Sequence, residues 1–144
     1  MNQTERINAL INHPSIFPHV SCGMPFPLDI ADVLAQEGVV AYDGAVGAVI
    51  FEPVVDDGPG VYEGHYFFLP EGRGKVAIRF GQQALRCMFE RHNARLIWGY
   101  TPWDNVAARA FNRLVGLKSF GKSMKRLLPW GPMVPVEVVY IERD

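Results

Sequence analysis

The order of signals between residues 61 and 101 limits the fold more than any other stretch. The run "GVYEGHYFFL" breaks at Pro70 and at two glycines, Gly72 and Gly74, then resumes with helical spacing. Ala77, Phe80, Ala84, Cys87 and Met88 fall on one face of that helix, and Arg79, Gln82, Gln83, Arg86 and Glu90 on the other. The next strand, "ARLIWGY", is apolar enough for the middle of a sheet. Strand, helix, strand predicts a parallel pair joined by a right-handed crossover.

The other elements gather around this unit. Residues 3–12 read as a short helix, and "PLDIADVLAQEG" as a second, with Ile30, Val33 and Leu34 inward and Gly38 as its stop. "VVAYDGAVGAVIFEPV" predicts a hairpin turning at Asp43-Gly44. "TPWDNVAARAFNRLVG" predicts a helix opened by Pro102 and closed by Gly116. "LKSFGKSMKRLL" and "PVEVVYIE" tend towards alternation, which suits an antiparallel edge. Pro and Gly clusters near 14–27, 53–60 and 129–135 read as loops. The chain has 144 residues, 49% hydrophobic and 20% charged, so a single globular domain over 1–144 is expected. Its class is α/β (α+β), with a mixed sheet flanked by helices.

Composition also excludes some functions. A net charge of -1 argues against a nucleic-acid binder with a broad basic face. There is no run of 18 apolar residues and no secretory pattern at the start, so neither membrane nor export is expected. Cys22 and Cys87 lack metal or redox spacing and read as free, buried thiols of a cytoplasmic protein rather than nucleophiles. His13, His19 and His92 lack metal-ligand spacing, so no metal is expected and their roles are in loops or at the surface. Trp98, Trp103 and Trp130 read as packing residues, and Lys118, Lys122, Lys125 and Arg126 as a solvated basic strand.

The turn "LPEGRGKVA" could hold a phosphate in three ways. A nucleotide P-loop fails, because Leu69 stands at its first position and Val76 at its last. Gly72, Gly74 and Ala77 fit a dinucleotide G-x-G-x-x-A, but the next strand ends at "WGYTP" without the acid that binds a ribose. The third is a pyrophosphate cradle, in which successive N–H groups at a helix start hold a diphosphate, Gly74 allows close approach, and Arg73 and Lys75 add charge. An ordinary strand-to-helix turn is the plain alternative.

Pro70, Arg73 and Gly74, followed by Asn105, Ala108, Asn112, Gly116 and Leu117, resemble the paired motifs of the GNAT superfamily, the acyl-CoA-dependent N-acyltransferases. The resemblance covers about residues 60–121, and the wider layout also resembles small acetyltransferase-like proteins of tailed phages. It implies a splayed mixed sheet whose two central parallel strands diverge. It implies acetyl-CoA as co-substrate, with the pantetheine arm beside Phe68 and Leu69 and the diphosphate on the amides of Glu71, Gly72, Arg73, Gly74, Lys75 and Val76. Asn105, Ala108, Arg109 and Asn112 share a helix face that would flank the cofactor, and Val106, Ala110, Phe111 and Leu114 would point to the core. Glu71, Val76 and Asn112 depart from the family pattern, which usually has Gln or Arg, Gly or Ala, and often Tyr there.

An amine acceptor must lose a proton. Glu63 and His65 lie two apart on a strand and share a face, so either could be the base. The expected reaction is acetyl transfer to a primary amine by direct attack, the amine being a protein N-terminus, a lysine or a small molecule. The alternative is a catalytically degenerate GNAT-like fold that serves as a structural or partner-binding module, such as a phage virion component. Residues 135–142 would pair across a homo-oligomer or close the sheet. Location follows the same choice: host cytoplasm for a phage enzyme, the virion for a particle component.

Overall fold

The hairpin forms where Asp43-Gly44 predicts it. In the computed structural model, which describes residues 1–21, 25–129 and 131–144, β1 (Val40–Asp43) and β2 (Gly47–Pro53) pair antiparallel. Then come β3 (Val61–Phe68), a 3-10 turn at Pro70–Gly72 and the 17-residue α4 (Lys75–Arg91). β4 (Leu96–Pro102), α5 (Val106–Val115), β5 (Lys118–Arg126) and β6 (Met133–Glu142) complete the chain. The N-terminal helices α1 (Gln3–Ile11), α2 (Phe17–Val20) and α3 (Ala31–Ala35) are short. The strand order is β1-β2-β3-β4-β6-β5.

β3 and β4 are parallel, as the strand–helix–strand reading requires. They pair only at Val61 with Leu96, Tyr62 with Ile97 and Glu63 with Trp98. Beyond those positions each strand follows its outer neighbour: β3 stays on β2 to Phe68, and β4 stays on β6 to Pro102. The sheet therefore opens along its central seam. The first position past the last pair is glycine on both strands, Gly64 and Gly99, so neither strand puts a side chain of its own there.

Both faces of β2 are buried. Val49 and Phe51 join Phe68, Leu85, Met88 and Ile97 in a core beneath α4 and α5, whereas Ala48 and Ile50 pack with Ile7, Leu10 and Ile11 of α1. Asn2 caps α1 by accepting from the Glu5 N–H, and Arg6 pairs with Asp43 at 2.6 Å, which fixes α1 across the hairpin.

Three local expectations are corrected and one is met. The second N-terminal helix is confined to Ala31–Ala35, because the backbone is already extended at Gln36. Pro102 ends β4 instead of opening α5, whose cap is Asn105. β5 and β6 add the antiparallel edge that their alternation predicts, with β6 beside β4 and β5 outermost. On α5 Phe111 packs on the core as expected, but Val106 and Leu114 are 69% and 61% exposed and Asn112 is buried, so the expected core face holds only in part. The inward polar groups are satisfied: Asn112 Nδ2 donates to Thr101 Oγ1 at 2.8 Å, and Arg109 reaches Glu137.

Candidate active site

A cleft of about 1390 Å³ runs along the opened seam, lined by β3, β4, α5 and the start of α4 and continuing against the N-terminal segment and the end of β5. Ordinary small-ligand pockets span about 300–1,000 Å³, so this one has room for a long ligand and a second molecule.

One end of the cleft is the turn into α4. The Gly72 and Arg73 amides are spent inside the 3-10 turn, on the Leu69 and Pro70 carbonyls. No described group accepts from the amides of Gly74, Lys75, Val76 or Ala77, and no side chain caps the helix. These amides sit at the positive end of α4. Gly74 has φ of 84°, and a Cβ there would meet nothing within 4 Å, so the backbone is bare. Glu71, Lys75 and Val76 are exposed. Arg73 Nε donates to the Phe68 carbonyl at 3.3 Å, folding the guanidinium along the rim. The Leu69 amide is bonded to the Val46 carbonyl.

At the apex, Glu63 and His65 share one face of β3, and β2 adds Glu52 directly across from Glu63. His65 Nε2 lies 3.2 Å from Glu63 and 3.7 Å from Glu52, close in distance but not aligned as a hydrogen bond. Ligand atoms of the three residues lie within 4.8 Å of one another, a set that could also gather a cation. Lys125 approaches Glu63 at 4.0 Å and lies over the Tyr100 ring. Burial works against a charged His65, but Glu63 and Glu52 outweigh it and its pKa is raised above 6.5. Burial would raise the Glu63 carboxyl, yet contact with His65 and the Lys125 charge leave it below the usual carboxylate range.

Across the cleft, Asn105 accepts from the Ala108 N–H as the α5 cap, and Ala108 and Asn112 line the wall. Arg109 stacks on Trp103 at 3.8 Å, and its Nε lies 3.4 Å from Glu137, to which Ser119 also donates. Trp103 thus carries Arg109 and Lys122, while Trp98 packs with Phe120 and Tyr140. Cys87 is a free, half-buried thiol on α4. His13, His19 and His92 are exposed. Cys22 and Trp130 lie outside the described residues.

Sequence reasoning missed Glu52, Tyr66 and Glu137. The hairpin register places Glu52 opposite Glu63, but the loop between β2 and β3 hides that register. Glu137 was visible as a lone acid inside "VEVV". Tyr66, within "HYFF", carried no signal.

No protein-family model and no curated protein matches the sequence. Solved structures do. Spermidine N-acetyltransferase from Vibrio cholerae, in complex with CoA and spermine, superposes with a TM-score of 0.74 at 16% identity, over 99% of this chain and 92% of that one. AAC(6')-Ib, in complex with paromomycin and acetyl-CoA, gives 0.76 at 16% identity, over 97% and 88%. An acetyltransferase of the GNAT family from Bacillus anthracis gives 0.58 at 18% identity, over 67% and 58%. The six-stranded mixed sheet flanked by helices matches the fold of these acetyltransferases, as the family resemblance implied, and the chain has the GNAT fold.

Proposed function

We propose that this chain is an acetyl-CoA-dependent N-acetyltransferase that acts on a small cationic amine. The observation that carries the reading is the opened β3–β4 seam, with bare amides at one end and a His–carboxylate group at its apex. The thioester would supply an activated acyl carbon. The amides of Gly74, Lys75 and Val76, with Arg73, would hold the diphosphate, and Phe68 and Leu69 would border the pantetheine arm. Asn105 holds the helix start in place, and Ala108 leaves room beside it.

The acceptor is argued from charge. Next to the apex lies a second pocket of about 350 Å³, lined by Glu52, Asp56, Asp57 and Glu63 together with Trp98 and Tyr100, so that its carboxylates outnumber its single cation, Lys125, which lies over the Tyr100 ring. Carboxylates and aromatic faces suit an ammonium group. The similar structures hold spermine and paromomycin, both amines. Once bound, the ammonium gives a proton to the His65–Glu63 pair, which leaves a nucleophilic nitrogen at the apex.

Release of thiol from acetyl-CoA, measured with a panel of polyamines and aminoglycosides, tests the proposal. Turnover with multiply charged amines, and none with neutral alcohols, is the expected result. Silence with every amine, in a chain that still binds acetyl-CoA, would refute it.

The pH profile follows with its sign. His65 accepts a proton only when neutral, and its pKa is raised, so kcat/KM should climb with pH through a midpoint above 6.5. Glu63→Gln removes the carboxylate that favours the imidazolium. Its midpoint should move to lower pH and its maximal rate should fall. An unmoved midpoint would mean that His65 is not the titrating group.

A further inference from the structure

We infer that the Tyr66 hydroxyl is the hydrogen-bond donor to the departing sulphur, an assignment that rests on the acetyltransferase reading above. Tyr66 is on β3, two residues past Gly64 and on the face opposite Glu63 and His65. Its ring sits between Phe51, at 6.2 Å, and Phe111, at 5.6 Å. The side chain turns back along its strand, so that the hydroxyl oxygen lies 2.8 Å from where a Cβ on Gly64 would be. Gly64 is the first position past the last β3–β4 pair, and its carbonyl oxygen is 3.9 Å from where a Cβ on Gly99 would be. The hydroxyl therefore reaches the open apex from the α4–α5 side, while His65 and Glu63 reach it from the other.

That oxygen is buried and has no hydrogen-bond partner among the described residues. Folded proteins rarely leave a buried hydroxyl unpaired, and such a group at the floor of a cleft marks a missing ligand atom. The neighbouring polar side chains on this wall are committed to each other, Asn112 donating to Thr101. Burial also pushes the phenol upward, so it stays protonated and remains a donor.

The first proton of the ammonium passes through the His65–Glu63 pair to water, which leaves the pair free; the amine nitrogen then bonds to the acyl carbon and its second proton passes to the pair. The carbon–sulphur bond breaks, and the sulphur leaves with that electron pair while accepting from the Tyr66 O–H. The base later releases its proton to water, and the thiolate takes one from water, so charge and protons balance. Tyr66 keeps its own proton throughout.

Calorimetry with CoA and desulfo-CoA, on the wild type and on Tyr66→Phe, isolates the contact without needing an acceptor. Wild type should prefer CoA by about tenfold above about pH 10, where an alkyl thiol is largely ionised. Tyr66→Phe should bind both with the same affinity, and that affinity should match wild type with desulfo-CoA. In turnover its kcat should fall about 10²-fold, with little change in KM for acetyl-CoA. Its melting temperature should not drop, since an unpaired hydroxyl has been removed. A retained preference for CoA, equal losses with both ligands, or an unchanged kcat would overturn the assignment alone. No binding of CoA by wild type would overturn the cofactor reading and this assignment with it.

Discussion

His65→Gln is expected to lower kcat by about 10²- to 10⁴-fold, the range that a positioned base contributes. Glutamine keeps the size and polarity of the side chain but cannot take up a proton near neutral pH. His65 stands at the apex, 3.2 Å from Glu63 and 3.7 Å from Glu52, whereas the amides expected to hold the diphosphate belong to α4. Acetyl-CoA affinity should therefore stay close to wild type. Steady-state thiol release, paired with calorimetry, separates the two quantities. A fall in kcat of less than about threefold would place the base elsewhere.

Phe51→Ala is expected to destabilise the fold by about 3–5 kcal/mol. Phe51 is fully buried on β2, in the core beneath α4 and α5, with edge-on contacts to Tyr42 and Tyr66. The neighbours belong to a sheet and a long helix that cannot collapse onto the space. For a domain of this size the melting temperature should fall by roughly 10 °C or more. A drop of only a few degrees would mean that the aromatic cluster relaxes and that the apex is less rigid than the geometry implies.

The strand–turn–helix–strand unit was legible because each signal is local. Proline and glycine mark the turn, the apolar period marks α4, and "ARLIWGY" marks a central strand. The opening between β3 and β4 was reached only through the family resemblance, since three paired positions instead of seven leave no mark on either strand alone. Glu63 and His65 share a face by strand periodicity, but Glu52 joins them through the β2–β3 register.

The inward face of α5 was misjudged in part, for a related reason. A helix with Val106 and Leu114 on one side and Asn112 on another normally buries the apolar side. Here Thr101, 11 residues away in sequence, and Glu137, 28 residues from Arg109, draw polar groups inward beside Phe111. Those partners are fixed by the sheet, not by the helix. The apolar Leu114 is left to line the cleft. Tyr66 lay beyond sequence reasoning altogether, because nothing in "GHYFF" tells which aromatic ring turns back towards a glycine.

Titration of acetyl-CoA into the wild-type chain and into Arg73→Ala, by calorimetry with a thermal-shift control, addresses the cradle most directly. Wild type is expected to bind in the micromolar range, and at about 100 times the dissociation constant to gain about 2.7 kcal/mol of stability. Arg73→Ala should remain folded and bind at least tenfold more weakly, the loss of one charge-assisted contact. Absence of binding by wild type at millimolar acetyl-CoA would contradict the cradle, and the chain would then stand as a GNAT-fold structural or partner-binding module.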